Sequence, residues 1–310
     1  MNIGTIAMKL AKCFAAVTIA LCALSSNAQY GTAASLQAEL KGGDDLVFSS
    51  TPQTLSQMGP LTTMGNALYV PDSVQSQPTQ KHPALILFHH CGGIMSHIQY
   101  WAQEALKEGY VVLTPNAMRG YRHNCSSPSE ITNARLIKDA LDGATHLAKL
   151  PYVDSKRIAV MGFSKGAFVA TWLSSPSVAQ ALAPNAPRPA ATVGMYGFCG
   201  WGPSKTRPQG MLILQPDSDR HLLMLLGGQD NETPPDSCLA MLADLQQKNA
   251  PVQWHLYPNA THCWDCKDQD GFTKMAITTN QRVVYRFDAA LTQDSRERVF
   301  RFLKQALGDG

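Results

Sequence analysis

The chain has 310 residues, 45% of them hydrophobic, which suffices for one large core. Its 26 Lys and Arg against 23 Asp and Glu give a formal charge of +3, falling to +1 without residues 1–28, which hold Lys9, Lys12 and no acid. So small a balance, with no basic run and no aromatic-basic interleaving, excludes an electrostatic case for binding nucleic acid or an anionic membrane.

Residues 1–28 read as an export signal: Lys9 and Lys12, an apolar segment Cys13 to Leu24 too short to span a bilayer, then Ser26-Asn27-Ala28 as a small-x-small cleavage site. The mature chain is expected to begin near Gln29, without a membrane anchor, in the periplasm or secreted. Residues 29–79 form a polar lead-in with edge strands, one suggested by the apolar patch Leu46 to Phe48 and one by Ala67 to Val70. From residue 80 to 310 a regular pattern takes over. Ala84 to Phe88 is a strand, Tyr100 to Leu106 a helix, Tyr110 to Leu113 a strand, and Ile131 to Leu150 a long amphipathic helix. The strand Ile158 to Met161 then meets a turn and the helix Ala167 to Leu173. Ala191 to Tyr196 is a strand, followed by a loop from Gly197 to Gly210. His221 to Leu226 is a strand, Pro235 to Lys248 a helix, Val252 to Tyr257 the last strand and Asp294 to Leu307 the closing helix. Strands alternating with helices imply one α/β domain with a doubly wound, mainly parallel sheet.

The turn at Gly162-Phe163-Ser164-Lys165-Gly166 is G-x-S-x-G between a buried strand and a helix. That context turns a weak pattern into a nucleophile elbow, with the Ser164 hydroxyl raised above the sheet. Serine attacks well only when a base takes its proton, and the base needs a carboxylate to hold it. In such a sheet all three stand on loops past the carboxyl ends of strands. Asp230, 66 residues after Ser164, follows one strand, and His262, 32 residues further on, follows the last. Asp217 and Asp219 precede their strand, and Asp236 reads as a first-turn helix charge; His221 and His255 lie at or within strands. The oxyanion would take the N–H of Lys165 and that of Cys91, where Gly92 and Gly93 allow a close approach.

Six cysteines remain past the signal, Cys91, Cys125, Cys199, Cys238, Cys263 and Cys266. An even count in an exported chain points to disulfides, with connectivity left open. Cys263-Trp264-Asp265-Cys266 reads as a structural disulfide rather than a metal or redox pair, since a metal site wants a second pair of suitable spacing and a thioredoxin-like motif would open the first helix after a strand. His89 and His90 are adjacent on an extended segment and point apart. No metal and no cofactor is assigned.

With these residues in hand, the chain resembles the dienelactone hydrolase family of α/β-hydrolases, especially exported members with a serine nucleophile. The likeness covers roughly residues 80–308. It rests on His90-Cys91-Gly92-Gly93, Gly109 to Pro115, Arg119-Gly120 with Cys125 downstream, Arg157 to Gly166, Gly227 to Pro235, Tyr257 to His262 and the tail from Ala289. The resemblance implies a Ser164–Asp230–His262 triad, Cys91 and Lys165 amides as oxyanion donors, and a small ester as substrate. The founding enzymes have a cysteine where Ser164 stands and a glutamate where His90 stands; both departures argue against dienelactone itself. His90 is assigned to the pocket. Tyr196 and Trp201 either wall that pocket or simply pack. Cys91 and Cys125 are expected to pair on neighbouring loops. Sequons at Asn124, Asn231 and Asn259, two of them beside the expected site, favour a host that does not glycosylate, hence a bacterium. A thioesterase, a peptidase and a non-catalytic envelope binding protein remain the competing readings, and the sequence is silent on oligomeric state.

Overall fold

The computed structural model describes residues 29–40, 45–59, 65–77, 79–119, 131–203, 205, 208–276 and 279–308. The expectations for residues 1–28 and for Asn124 and Cys125 lie outside the described residues.

Eight strands make the central sheet, in the order β1-β2-β4-β3-β5-β6-β9-β10. They are β1 (Pro52–Gln53), β2 (Ala67–Tyr69), β3 (His82–Phe88), β4 (Val111–Thr114), β5 (Val153–Phe163), β6 (Ala191–Met195), β9 (His221–Gly227) and β10 (Val252–Tyr257). Every neighbouring pair is parallel except β2 with β4. Two antiparallel ribbons lie outside it, β7 (Gly200–Trp201) with β8 (Met211–Leu212), and β11 (Thr273–Met275) with β12 (Arg282–Val284). Among the described residues the helices of seven residues or more are α1 (Ala33–Glu39), α2 (Ser96–Lys107), α3 (Asn133–Ala148), α4 (Lys165–Trp172), α5 (Pro176–Leu182), α6 (Asp236–Gln247) and α7 (Ala289–Leu307).

A parallel strand buried on both faces needs apolar residues at successive positions rather than at alternate ones. β3 shows the consequence. Leu85 and Leu87 face a layer with Trp101 of α2 and Phe300 and Leu303 of α7, whereas Ala84, Ile86 and Phe88 face α3, α4 and α5. Burying each such large side chain is worth about 1.5–3 kcal/mol. The second layer continues past β9 and β10, where Leu222, Met224 and Leu226 meet Leu242 and Leu245 of α6.

The structure departs from the sequence reading at its irregular parts. The patch Leu46 to Phe48 is no strand; the edge strand is β1, closer to β2. Helix α1 was hidden in the polar lead-in, and it starts at a Thr32 cap whose side chain accepts the Ser35 N–H. Helix α5 begins at Ser175, which accepts the Val178 N–H, with Pro176 in the first turn, a pairing that suits a helix start. The closing helix begins at Ala289, before the expected Asp294, because the Asp288 carboxylate caps it by accepting the Leu291 N–H at 2.9 Å. The loop Gly197 to Gly210 holds β7. Trp172 ties this region to the lead-in, its indole N–H lying 3.0 Å from the Gly31 carbonyl and 2.9 Å from that of Leu212.

Candidate active site

Ser164 stands between β5 and α4 with φ 51° and ψ −111°, a conformation that L-residues rarely hold. Two glycines make it feasible. A Cβ on Gly162 would lie 1.9 Å from the Gly166 carbonyl oxygen, and one on Gly166 would lie 2.0 Å from the Phe88 oxygen. The Ser164 N–H donates to the Met195 carbonyl at the end of β6, at 3.0 Å. The sequence motif therefore folds as a sharp strand-to-helix turn, fastened to β6 and pressed against the end of β3.

The other two expected residues arrive from the loops after β9 and β10. The Ser164 hydroxyl lies 2.9 Å from His262 Nε2, and His262 Nδ1 lies 2.7 Å from Asp230 Oδ2. All three are buried, with 4%, 1% and 2% of Ser164, His262 and Asp230 exposed. Asp230 Oδ1 accepts the backbone N–H groups of Glu232 at 2.8 Å and Thr233 at 2.9 Å, and Oδ2 accepts the Thr233 hydroxyl at 2.7 Å. A carboxylate so fixed accepts the hydrogen bond from Nδ1–H and keeps the proton on that nitrogen, leaving Nε2 as acceptor for the serine hydroxyl. Burial, the largest influence on His262, disfavours its charged ring, but Asp230 and then Glu232 outweigh it and the imidazole pKa is raised. Tyr196 and Tyr285 flank the ring, with centroids 4.8 and 5.3 Å away.

The His89–Gly93 turn lies beside the elbow, since Gly166 touches the Phe88 and His89 carbonyls. His89 Nε2 accepts the Ala117 N–H at 3.2 Å and its Nδ1 faces the His90 carbonyl, whereas the His90 ring stacks on His97 at 4.7 Å. The adjacent histidines thus go to different partners. Burial pushes the His90 pKa down to about 3, helped by the neighbouring His89 and His262 rings, so His90 is neutral. Lys165 opens α4 directly after Ser164 and Cys91 lies within the turn that His90 and Gly93 close, and burial pushes the Lys165 ammonium down to about 8.

His90, Cys263 and Cys266 bring one ligand atom each within 4.8 Å of one another. They make a poor metal cage. The two sulfurs lie at disulfide distance, and His90 Nδ1 accepts the Gly92 N–H at 2.7 Å, so the proton remains on Nε2. Cys199 and Cys238 form a second pair at disulfide distance. Tyr196 is fully buried against His262, Trp264 and Phe163, behind the imidazole. Trp201 packs on Phe198 in the α4-side layer. A surface cavity of about 1050 Å³ opens beside His82, Tyr110, Arg157 and Arg301 and contains none of the three hydrogen-bonded residues.

Sequence reasoning missed three buried groups here. Glu232, two residues past Asp230, has Oε2 3.7 Å from His262 Nε2, accepts the Tyr285 hydroxyl and pairs with Lys274. Lys274 and Tyr285 come from the β11–β12 ribbon, whose short strands leave no long period to read.

A hydrogen-bonded Ser, His and Asp on three loops at the carboxyl ends of parallel strands is one arrangement of an α/β-hydrolase. Residues 70–307 match the dienelactone hydrolase family. The chain belongs to that family. By its fold it is an α/β-hydrolase of one domain, and by its family a carboxylic ester hydrolase. A Yersinia pestis protein that carries the name carboxymethylenebutenolidase is 26% identical over 218 residues, 64% of this chain and 78% of that protein. A Porphyromonas gingivalis dipeptidyl-peptidase 5 is 24% identical over 225 residues, 62% of this chain but 32% of that longer protein. Among solved structures, Thermogutta terrifontis esterase 2 phosphonylated by sarin superposes with a TM-score of 0.58 at 15% identity, covering 77% of this chain and 88% of that one. At that identity the likeness shows the fold alone. Among the described residues no helix is long and apolar enough to cross a membrane.

Proposed function

We propose that this chain cleaves carboxylic esters of small molecules through an acyl-enzyme on Ser164. His262 takes the Ser164 proton as the oxygen attacks the ester carbonyl, and Asp230 holds the ring and balances its charge. The developing oxyanion is met by the N–H groups of Cys91 and Lys165, and the imidazolium returns its proton to the departing alkoxide. Water activated by His262 then releases the acid. The observation that carries this reading is the unbroken relay from Ser164 Oγ to His262 at 2.9 Å and on to Asp230 at 2.7 Å. Because His90 is neutral where the founding enzymes have glutamate, the site is assigned to esters other than dienelactone.

The test is fluorophosphonate labelling with a chromogenic ester panel of rising acyl length. Labelling and turnover in the wild type, both lost in Ser164→Ala, support the reading. A wild type that neither labels nor turns over any ester would instead make the chain a binding protein with a hydrolase fold. The peptidase relative gives a second reading one foothold, and a proline- or alanine-linked anilide cleaved faster than every ester would establish it. We also assign the chain to the periplasm or to secretion, with residues 1–28 removed and both cysteine pairs oxidised. Amino-terminal sequencing of protein from the osmotic-shock fluid should read Gln29 first; a chain retained with Met1 refutes export.

A further inference from the structure

Asp230 already fixes His262 from the Nδ1 side, so a second buried carboxylate on the Nε2 side needs its own explanation. Glu232 is 7% exposed, and its Oε2 lies 3.7 Å from Nε2, the nitrogen that faces Ser164. Two segments far along the chain hold it there. The Tyr285 hydroxyl, just past β12, donates to Oε2 at 2.8 Å, and the ammonium of Lys274 on β11, whose side chain is 5% exposed, bonds Oε1. β11 and the residue that follows β12 therefore clamp one carboxylate beside Nε2 of His262. Burying such an ion pair is costly, and a hydrophobic contact would close the ribbon at lower cost.

A separation of 3.7 Å is too long for a direct hydrogen bond and short enough for one water to touch both atoms. We propose that Glu232 positions the hydrolytic water of the deacylation half-reaction, an inference that rests on the acyl-Ser164 reading above. The water donates one hydrogen to Glu232 Oε2 and gives the other, as a proton, to His262 Nε2 while its oxygen bonds to the acyl carbon. The tetrahedral oxyanion collapses, the bond from the acyl carbon to Ser164 Oγ breaks, and Ser164 takes the proton back from His262. The hydrogen held toward Glu232 leaves with the product acid. Glu232 neither gains nor loses a proton. During acylation the leaving alkoxide occupies the same space, so the carboxylate has no water to hold there.

That asymmetry is the test. In Glu232→Gln the Lys274 ammonium keeps the amide oxygen, which turns the NH2 group toward the water and replaces an acceptor with a donor. Stopped-flow nitrophenolate release from p-nitrophenyl acetate reads acylation, and quenched intact-mass spectra read the lifetime of acyl-Ser164. The expected result is acylation within about threefold of wild type and deacylation slowed on the order of 10²-fold, the scale of a misplaced reactant. Tyr285→Phe, which leaves the ion pair and is the usable variant should Glu232→Gln fail to fold, slows deacylation several-fold and spares acylation. An equal fall in both phases, or deacylation at the wild-type rate in a folded variant, overturns the inference. A wild type that forms no acyl adduct on Ser164 overturns the triad reading and this one together; an adduct whose decay ignores both substitutions overturns this one alone.

Discussion

Gly166→Ala is the sharpest probe of how the site is built. A methyl group there would lie 2.0 Å from the Phe88 carbonyl oxygen and 2.8 Å from that of His89, where ordinary contact begins at 3.4 Å. Both obstacles are backbone, so no rotamer relieves the clash, and β3 and α4 must part by about 1.4 Å, the difference between those contacts. Overpacking of that kind costs about 1–3 kcal/mol, and each kcal/mol lowers Tm by about 2–4 °C in a chain of this size. The kinetic cost is larger. The displacement falls between the 89–93 turn and Ser164, and a misplacement of about 1 Å can cost on the order of 10²-fold in rate. The variant should therefore remain folded at 25 °C by circular dichroism while kcat/KM for an ester falls about 10²-fold. Gly109→Ala is the contrast: φ is +85° there but nothing lies within 4 Å of the added carbon, so Tm drops by strain alone and kcat/KM holds. A Gly166→Ala enzyme with kcat/KM within threefold of wild type would refute the close approach on which the elbow depends.

Three further outcomes follow from named contacts. His262 must be neutral to take the serine proton, and its pKa is raised, by Asp230 ahead of Glu232 and against burial, so the acid limb of kcat/KM should lie above the ordinary imidazole value of about 6.5. Rate rises with pH through that limb; Asp230→Asn should move it to lower pH and cut kcat by roughly 10⁴-fold, and a wild-type limb below about 6 would contradict the assignment. Trp101→Phe removes the indole N–H that donates to Asp265 at 2.8 Å and leaves a buried carboxylate short of one partner, which should cost about 1–3 kcal/mol in urea unfolding. Cys238→Ser opens a loop spanning 39 residues to Cys199; chain-entropy reasoning gives about 4 kcal/mol, so an unchanged denaturation midpoint would mean that the bond does not form.

The alternation of buried strands and helices was legible because each apolar run must bury itself on a sheet face, and local periodicity records that need. Ser164 was legible because its turn requires glycine on both sides, which leaves a motif. Asp230 and His262 have no motif and were found by position, as the Asp and His past the carboxyl ends of β9 and β10. Glu232, Lys274 and Tyr285 escaped that filter. The last two sit on strands of three residues or just beyond one, and what unites them is contact with one carboxylate rather than any spacing. Helix α1 escaped for a different reason: with Leu36 its one buried residue, it offers no apolar stripe to see.

The contact between Ser164 and His262 joins two anchorages of different origin. The serine is set by the middle of the sheet, through the Met195 carbonyl of β6 and the end of β3. The histidine is set from the last helix. Trp264 donates its indole N–H to Ser295 at 3.0 Å, its carbonyl accepts the Asp288 N–H at 2.9 Å and the Thr292 hydroxyl at 3.2 Å, and Tyr257 at the end of β10 donates to Asp294 at 2.7 Å. The strain at Ser164, on the order of 1–3 kcal/mol, is thus borne by strands that fold around the core in any case. The position of the imidazole depends on how α7 docks. That division explains why Trp264, two residues past the histidine, is fully buried against Tyr196 and Tyr257. The proposed relay, in which about 1 Å of misplacement can cost on the order of 10²-fold in rate, needs the imidazole held as rigidly as the hydroxyl, and among the described residues the loop after β10, the edge strand, has no sheet neighbour on its far side to do so.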